Sequence, residues 1–261
     1  MKPALAFPYH DTNQTMLPHL QAALPDLKAH FDHAYLSPSP STLEWIERDA
    51  SIFNDDFFTV FSSDEETLVG NRLAYLYRRT AEMAPPAQPI HLCFPDRLTF
   101  ALGTEHRDSF LADMDSLTPD ELPIIFQRSE YAWSTHPDGY RTIEGSVIAV
   151  GRNLFGRELD YCWCHMAATA EQLGRIIPFV KNPDISMVAE IIYYLRDEIH
   201  TRDVDWLAWE DPFVFNRDED ELRRERENSR AETWKRLDYV LPMIETLTRF
   251  ARNGKDPGSP M

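Results

Sequence analysis

Residues 4–7 form a short apolar run ended by Pro8, and residues 15–30 then carry Met16, Leu17, Leu20, Ala23, Leu24 and Leu27 at helical spacing. This pattern predicts a strand, a turn and an amphipathic helix. The unit repeats. Residues 33–36 read as a second strand closed by the Pro- and Ser-rich stretch 37–41, Ser41 or Thr42 is placed to cap a helix running through Arg48, and 57–61 is an apolar strand. In the third unit Leu73, Leu76, Tyr77 and Thr80 share one face of a helix predicted over 69–83. Pro85 and Pro86 stop that helix, and a buried-type strand over 90–94 runs into Pro95 and Asp96.

Strands alternating with helices through short links argue for a parallel sheet, because parallel neighbours need crossover connections. The predicted class is α/β, a mostly parallel twisted sheet flanked by helices. Open sheets of this kind bind ligands beyond the carboxyl ends of their strands. Chemistry is therefore expected at 8–11, 37–39, 62–64 and at Asp96 with Arg97.

The second half is less regular and predicts a mixed layer. Residues 107–114 read as a helix, Thr118-Pro119-Asp120 as a helix start, 123–128 as a strand, 140–151 as a helix or strand pair, and 160–168 as a strand of large alternating side chains. Thr169 is placed to cap a helix reaching 180, and Pro183-Asp184 opens a periodic helix with Ile185, Val188, Ile191, Ile192 and Leu195 inward. Residues 204–209 read as a Trp-rich strand ended by Glu210, Asp211 and Pro212. After the charged stretch 216–227, residues 231–252 regain helical apolar spacing, interrupted by Pro242. The expected organisation is an α/β domain over 1–215, a peripheral C-terminal helical extension over 216–252 and a frayed tail over 253–261.

Composition narrows the function. Hydrophobic residues make up 43% and charged residues 26%, a globular mix that argues against disorder and coiled coil. The balance of 26 Lys+Arg against 43 Asp+Glu, a net charge of −17, repels phosphate backbones and anionic bilayers. Neither nucleic acid nor a membrane surface is an expected partner, and an anionic small substrate would need a local positive patch or a divalent cation to enter. There is no apolar run of about 18 residues, the opening run is too short and Pro-bounded for a signal segment, and Cys93, Cys162 and Cys164 do not form a disulfide framework. A cytoplasmic protein with reduced thiols is expected. The chain has no GxSxG elbow, Walker A loop or GxGxxG turn.

The most informative segment is Ile90-His91-Leu92-Cys93-Phe94-Pro95-Asp96-Arg97, which sets a carboxylate directly after a buried strand, where it can meet a metal-bound diphosphate. With Val69-Gly70-Asn71-Arg72 ahead of it and Phe7-Pro8-Tyr9 at the start, the element order over 4–213 resembles the nucleotide-diphospho-sugar transferases. These are the GT-A glycosyltransferases, and the likeness extends distantly to the mannosylglycerate synthase group. The resemblance implies transfer of a sugar from a nucleotide-diphosphate donor to an acceptor it does not identify, assisted by Mg²⁺ or Mn²⁺. It places the nucleotide at Pro8, Tyr9 and Asp11, with Tyr9 stacking on the base, and a phosphate near Gly70, Asn71 and Arg72. The family's metal motif carries two carboxylates one residue apart. Here Asp96 stands alone, and Asp211 is the expected second ligand. The carboxylate that contacts the acceptor or takes its proton corresponds by order to Asp184, with Glu190 as second choice.

Two other readings stay open: a metal-dependent hydrolase built on His10, Asp11 and Asp96, and a silent binding module that kept the fold and lost the second carboxylate. Each candidate also has a plain structural role, since Asp residues cap helices, arginines on helices are solvated and Tyr9 could simply pack. Cys162-Trp163-Cys164-His165 alternates along a predicted strand and has no partner pair for zinc. Trp133, near His136 and Asp138 in a Pro- and Gly-containing loop, is expected to stack on an acceptor ring.

Overall fold

The protein is described here by a computed structural model covering residues 1–49, 51–62, 68–162 and 165–253. Trp163, Cys164, residues 63 and 64 of one expected ligand loop, and most of the expected tail lie outside the described residues.

Strand β1 (Ala4–Tyr9) is central. Its Leu5, Phe7 and Tyr9 enter one hydrophobic core and its Ala4 and Ala6 the other. Burial on both faces is what a central parallel strand requires. The predicted order follows: α1 (Leu17–His30), β2 (His33–Pro38), α2 (Pro40–Asp49), β3 (Phe58–Val60), α3 (Val69–Met83) and β4 (Pro89–Leu92). β1 pairs in parallel with β2 and with β4, and β2 with β3. The chain thus travels outward to β3 and returns to the other side of β1. That reversal of winding direction leaves a crevice at the carboxyl ends of β1 and β4.

Next come α4 (Pro95–Gly103), α5 (Arg107–Asp115), β5 (Ile124–Arg128), α6 (Glu130–Thr135), α7 (Asp138–Phe155), β6 (Met166–Thr169) and α8 (Ala170–Ile176). The chain ends with α9 (Met187–Leu195), β7 (His200–Val204), α10 (Asp211–Val214), α11 (Glu219–Glu227) and α12 (Arg230–Asn253). Among the described residues the sheet order is β3-β2-β1-β4-β6-β5-β7. β6 runs antiparallel to β4 and β5, while β5 and β7 are parallel, so the mixed layer expected of the second half is a single reversed strand. No helix among the described residues is long and apolar enough to cross a membrane.

Several boundaries differ from the sequence reading, each for a physical reason. Pro95 at the first helical position turns the exit of β4 straight into α4, a helix the hydrophobic pattern did not announce. The strand expected over 160–168 shrinks to β6, because the Asp160 carboxylate is drawn to Arg128 and the chain turns at Tyr161 and Cys162. The Trp-rich stretch is not a strand. β7 precedes it as a polar edge strand on β5, and Asp205–Leu207 is a 3-10 turn that buries Trp206. α9 starts at Met187, after a turn in which the Asp184 carboxylate accepts from the Ser186 backbone N–H and hydroxyl. Thr169 caps α8 as expected, in a reciprocal pair with Gln172. α12 continues through Pro242, packs on α7 and α9, and buries Val240, Met243 and Leu247 in the core, so it is not peripheral.

Candidate active site

Two cavities open at the carboxyl ends of β1 and β4 and share a wall. The first, about 400 Å³, lies between the residues that follow β1, Arg72 of α3, and Pro95 and Asp96 at the start of α4. The second, about 590 Å³, lies between Arg97, Glu210 and Asp211 on one side and Lys235, Arg236 and Tyr239 of α12 on the other. His10, Val69, Phe94, Asp96 and Phe215 line both. Asp96 therefore stands at the junction.

The first cavity gathers Pro8, Tyr9, Asp11 and Arg72, all expected on the nucleotide side. Their roles differ from that expectation. The Tyr9 ring is 1% exposed and meets the rings of Trp45 and Phe53 edge-on at 6.1 and 5.4 Å, so it offers no open face to a base. Its hydroxyl donates to Asp11, whose carboxylate also accepts from the backbone N–H groups of Thr15, Met16 and Leu17 at 2.7 to 3.0 Å. Asp11 is thus the anchor of the α1 entrance, its oxygens already spent. That removes a member of the hydrolase set His10, Asp11 and Asp96. Arg72 is half-buried at the cavity wall, where burial lowers its pKa without making it neutral.

Gly70 and Asn71 line neither cavity. Gly70 is a packing residue: a Cβ there would stand 2.2 Å from the Asp184 carbonyl oxygen, and its N–H already donates to the Pro183 carbonyl. Gly70→Ala is expected to lower stability by about 1–3 kcal/mol, read as a shift in the denaturation midpoint at unchanged m-value. A neutral result would show that the 182–184 turn yields freely.

The junction is crowded with acids that the sequence reading only partly anticipated. Burial raises the Asp96 pKa, Asp211 adds to the rise, and Arg97 opposes it. Beside it Glu210, a residue not singled out from sequence, is pushed up to about 8 by burial, with Asp211 and Asp96 adding to the effect and Arg97 opposing it. Arg97 itself is buried, bridges Glu210 and donates to the Ala208 carbonyl at 2.6 Å. Arg226 of α11 reaches Asp211 at 3.3 Å and also pairs with Glu232, which accepts from the Tyr140 hydroxyl at 2.8 Å. The only sequence signal for Glu210 was its place after the Trp-rich stretch.

Behind this junction lies a fully buried network. Arg128, at the end of β5, holds Asp160 through two hydrogen bonds of 2.9 and 3.1 Å and Glu144 through one of 2.6 Å. These acids outweigh the burial that would otherwise lower its pKa, so Arg128 stays charged, and the Glu144 carboxyl is held low by Arg128 and Arg236 against its own burial. The Arg128 guanidinium lies 3.5 Å from the centre of the Trp133 ring. Trp133 is on helix α6, not in a loop, and faces a separate groove with Asp138 and Arg141, away from both cavities.

The two carboxylates proposed for proton transfer do not come to the site. Asp184 closes its own turn with Ser186, and buried Glu190 accepts from the backbone N–H groups of Lys181 and Asn182 at 2.8 Å and pairs with Arg249. Neither lines either cavity.

No protein-family model and no curated protein sequence matches the chain. Solved structures do. Glucosyl-3-phosphoglycerate synthase from Mycobacterium tuberculosis in complex with uridine-diphosphate aligns with a TM-score of 0.52 at 14% identity, over 94% of this chain and 80% of that one. The same enzyme in complex with Mn²⁺, uridine-diphosphate-glucose and phosphoglyceric acid aligns with a TM-score of 0.50 at 14% identity over the same shares. The chain has the GT-A fold. In a GT-A sheet whose ligand crevice lies at β1 and β4, the shared wall of the two cavities becomes the place to test for a metal. Among the described residues no group of three or more His, Cys, Asp or Glu side chains is arranged to hold an ion. Asp96 and Asp211 nevertheless line one cavity, and Asp211 adds to the rise in the Asp96 pKa that burial sets. Two hard oxygen ligands so placed fit a Mg²⁺ or Mn²⁺ ion that draws its remaining ligands from phosphate oxygens and water.

Proposed function

We propose that this protein is a glycosyltransferase that takes a sugar from a nucleotide-diphosphate donor. The observation that carries the reading is the meeting of two cavities at Asp96, at the carboxyl ends of β1 and β4 of a GT-A fold. The first cavity takes the nucleotide, with Arg72 facing its phosphates and Pro8 and Met16 giving apolar surface to the base. The second takes the acceptor. Asp96 and Asp211 would hold Mg²⁺ or Mn²⁺, the ion that accompanies uridine-diphosphate-glucose in the neighbouring structure being Mn²⁺. When bound, the cation offsets charge on the departing diphosphate. Thermal stabilisation by a panel of nucleoside diphosphates and their sugars, with and without Mn²⁺, tests the reading; no shift with any nucleotide would sink it.

Glu210 is the group placed to receive the acceptor's proton, in the role the sequence reading gave to Asp184 or Glu190. It lines the acceptor cavity one residue from Asp211, and Arg97 holds it in place. A base whose pKa is about 8 is protonated at neutral pH and becomes competent as pH rises through that value. The transfer rate is therefore expected to rise with pH and level off once Glu210 is ionised, at a pH that a cation on Asp96 and Asp211 would bring below the metal-free value of about 8, and Glu210→Gln should remove that limb from the pH profile. The sign for stability is the reverse. A carboxyl whose folded pKa is raised stabilises the fold below its ordinary value of 4.5 and progressively destabilises it as pH climbs to about 8. The same variant should thus flatten the loss of stability across that range. A profile identical to wild type would remove Glu210 from the mechanism.

A further inference from the structure

We propose that Arg226 is a cation already seated on Asp211 and that it weakens the hold of this site on a divalent ion. The inference rests on the metal role proposed for Asp211 and concerns how that same site is regulated. Asp211 opens α10 and lines the second cavity, and Arg226 comes from the next helix, α11. α11 reads Glu-Asp-Glu-Leu-Arg-Arg-Glu-Arg-Glu and buries Leu222 alone, so polar contacts decide where it lies. Arg223 donates to the Thr135 carbonyl at 2.5 Å with its guanidinium 5.3 Å from the centre of the Trp209 ring, and Glu227 accepts from the Asp138 backbone N–H at 3.2 Å. These moorings bring the Arg226 guanidinium to 3.3 Å from the Asp211 carboxylate.

The two side chains are 15% and 16% exposed, so solvent and salt screen their charges only in part. An arginine does not lose its proton in a protein, and its repulsion of a divalent ion is therefore independent of how the acids around it titrate. Arg226 lines neither cavity, so an entering ligand does not displace it directly. The affinity of an oxygen-ligand site follows the summed charge of its ligands, and a guanidinium one carboxylate away subtracts from that sum. Glu232 sets the size of the subtraction. It pairs with the same guanidinium and is itself held by the Tyr140 hydroxyl at 2.8 Å, which gives Arg226 a second seat away from Asp211. Arg97 and Arg236, at the second cavity, are matched by Glu210 and Glu144, whereas Arg226 is the basic side chain that reaches Asp211 among the described residues. Protein ligands alone thus hold an ion weakly, and phosphate oxygens have to make up the difference.

Titrating the full chain with MnCl₂ in the absence of nucleotide, and following the loss of the free-ion signal by electron paramagnetic resonance, tests this. Arg226→Gln is expected to tighten Mn²⁺ binding about tenfold, and Arg226→Lys, which keeps the charge, to stay within about threefold of wild type. Glu232→Gln, which still accepts from Tyr140 but leaves Arg226 to Asp211, is expected to weaken binding about threefold. The opposite signs separate a charge effect from a packing one, since a site that needed Arg226 only for its shape would lose the ion in Arg226→Gln. Unchanged or weaker binding by Arg226→Gln overturns the inference. Glu232→Gln tests the same point with the Arg226–Asp211 pair intact, and unchanged or tighter binding there also overturns it. The underlying reading fails separately: if neither wild type nor any variant takes up Mn²⁺ even with UDP present, the metal role of Asp211 is gone, whereas equal uptake by all of them leaves that role standing and removes Arg226 from it.

Discussion

Asp96→Ala is expected to abolish stabilisation by nucleotide diphosphate and Mn²⁺ while leaving the apo fold intact. A ligand at one hundred times its Kd adds about 2.7 kcal/mol, on the order of 5–10 °C in melting temperature for a chain of this size. On the proposed reading Asp96 is one of the two carboxylates that would hold the ion on the diphosphate, so the variant should lose most of that shift. The apo protein should tolerate the change because its own carboxyl is unfavourably placed. Its pKa is raised, so it destabilises the fold increasingly as pH rises above its ordinary value. Its local contribution is one short-range hydrogen bond from the Arg97 backbone N–H at 2.8 Å. Asp96→Asn, which keeps the shape and removes the charge, should behave alike. Equal nucleotide- and Mn²⁺-dependent shifts in wild type and both variants would show that the diphosphate is bound elsewhere.

The second large effect lies in the buried network behind the site. Arg128→Met should cost about 3–5 kcal/mol, because it strands Asp160 in the interior without its counter-charge and leaves Glu144 with Arg236 alone. That is a substantial part of the 5–15 kcal/mol that typically holds a domain together. Arg128→Lys should recover little, since an ammonium cannot serve two carboxylates and lie flat on Trp133. Replacing all three by Arg128→Met, Glu144→Gln and Asp160→Asn should restore part of the loss, since neither acid then carries a buried charge while Arg236 gives up its pair with Glu144. Denaturant midpoints of the four proteins measure this. A single-variant cost below about 1 kcal/mol would mean that water reaches the network and solvates the acids.

The N-terminal half of the sheet was legible in the sequence because its strands are buried on both faces and its helices carry a one-sided apolar stripe. Residues 69–83 were predicted and observed with identical bounds. Legibility fails where tertiary contacts decide. β7 reads His-Thr-Arg-Asp-Val and is a strand because it pairs with β5, whereas the apolar Trp206 and Leu207 beyond it turn into the core. α4 has a Pro start that looks like a loop in one dimension. The site divided in the same way. Asp96 and Asp211 each end an apolar run in the sequence, and the fold brings them to one cavity. Tyr9 and Asp11 line the first cavity but are committed to packing and capping, and nothing local reveals that Trp45 and Phe53 close over the ring or that Asp11 anchors the α1 entrance. Glu210 does not stand out in the sequence because its buried pairing depends on Arg97, more than a hundred residues away.

The shared wall has a consequence for how this protein can change its taste in substrates. His10, Val69, Phe94, Asp96 and Phe215 belong to both cavities, so a substitution at any of them reshapes the proposed nucleotide side and the proposed acceptor side together. New donor preference can be explored independently through Thr12, Asn13 and Thr15, and new acceptor preference through Ile185, Tyr239 and Met243. The five common positions act as a hinge between two otherwise separable vocabularies, and a library that varies them will mix the two specificities it sets out to tune.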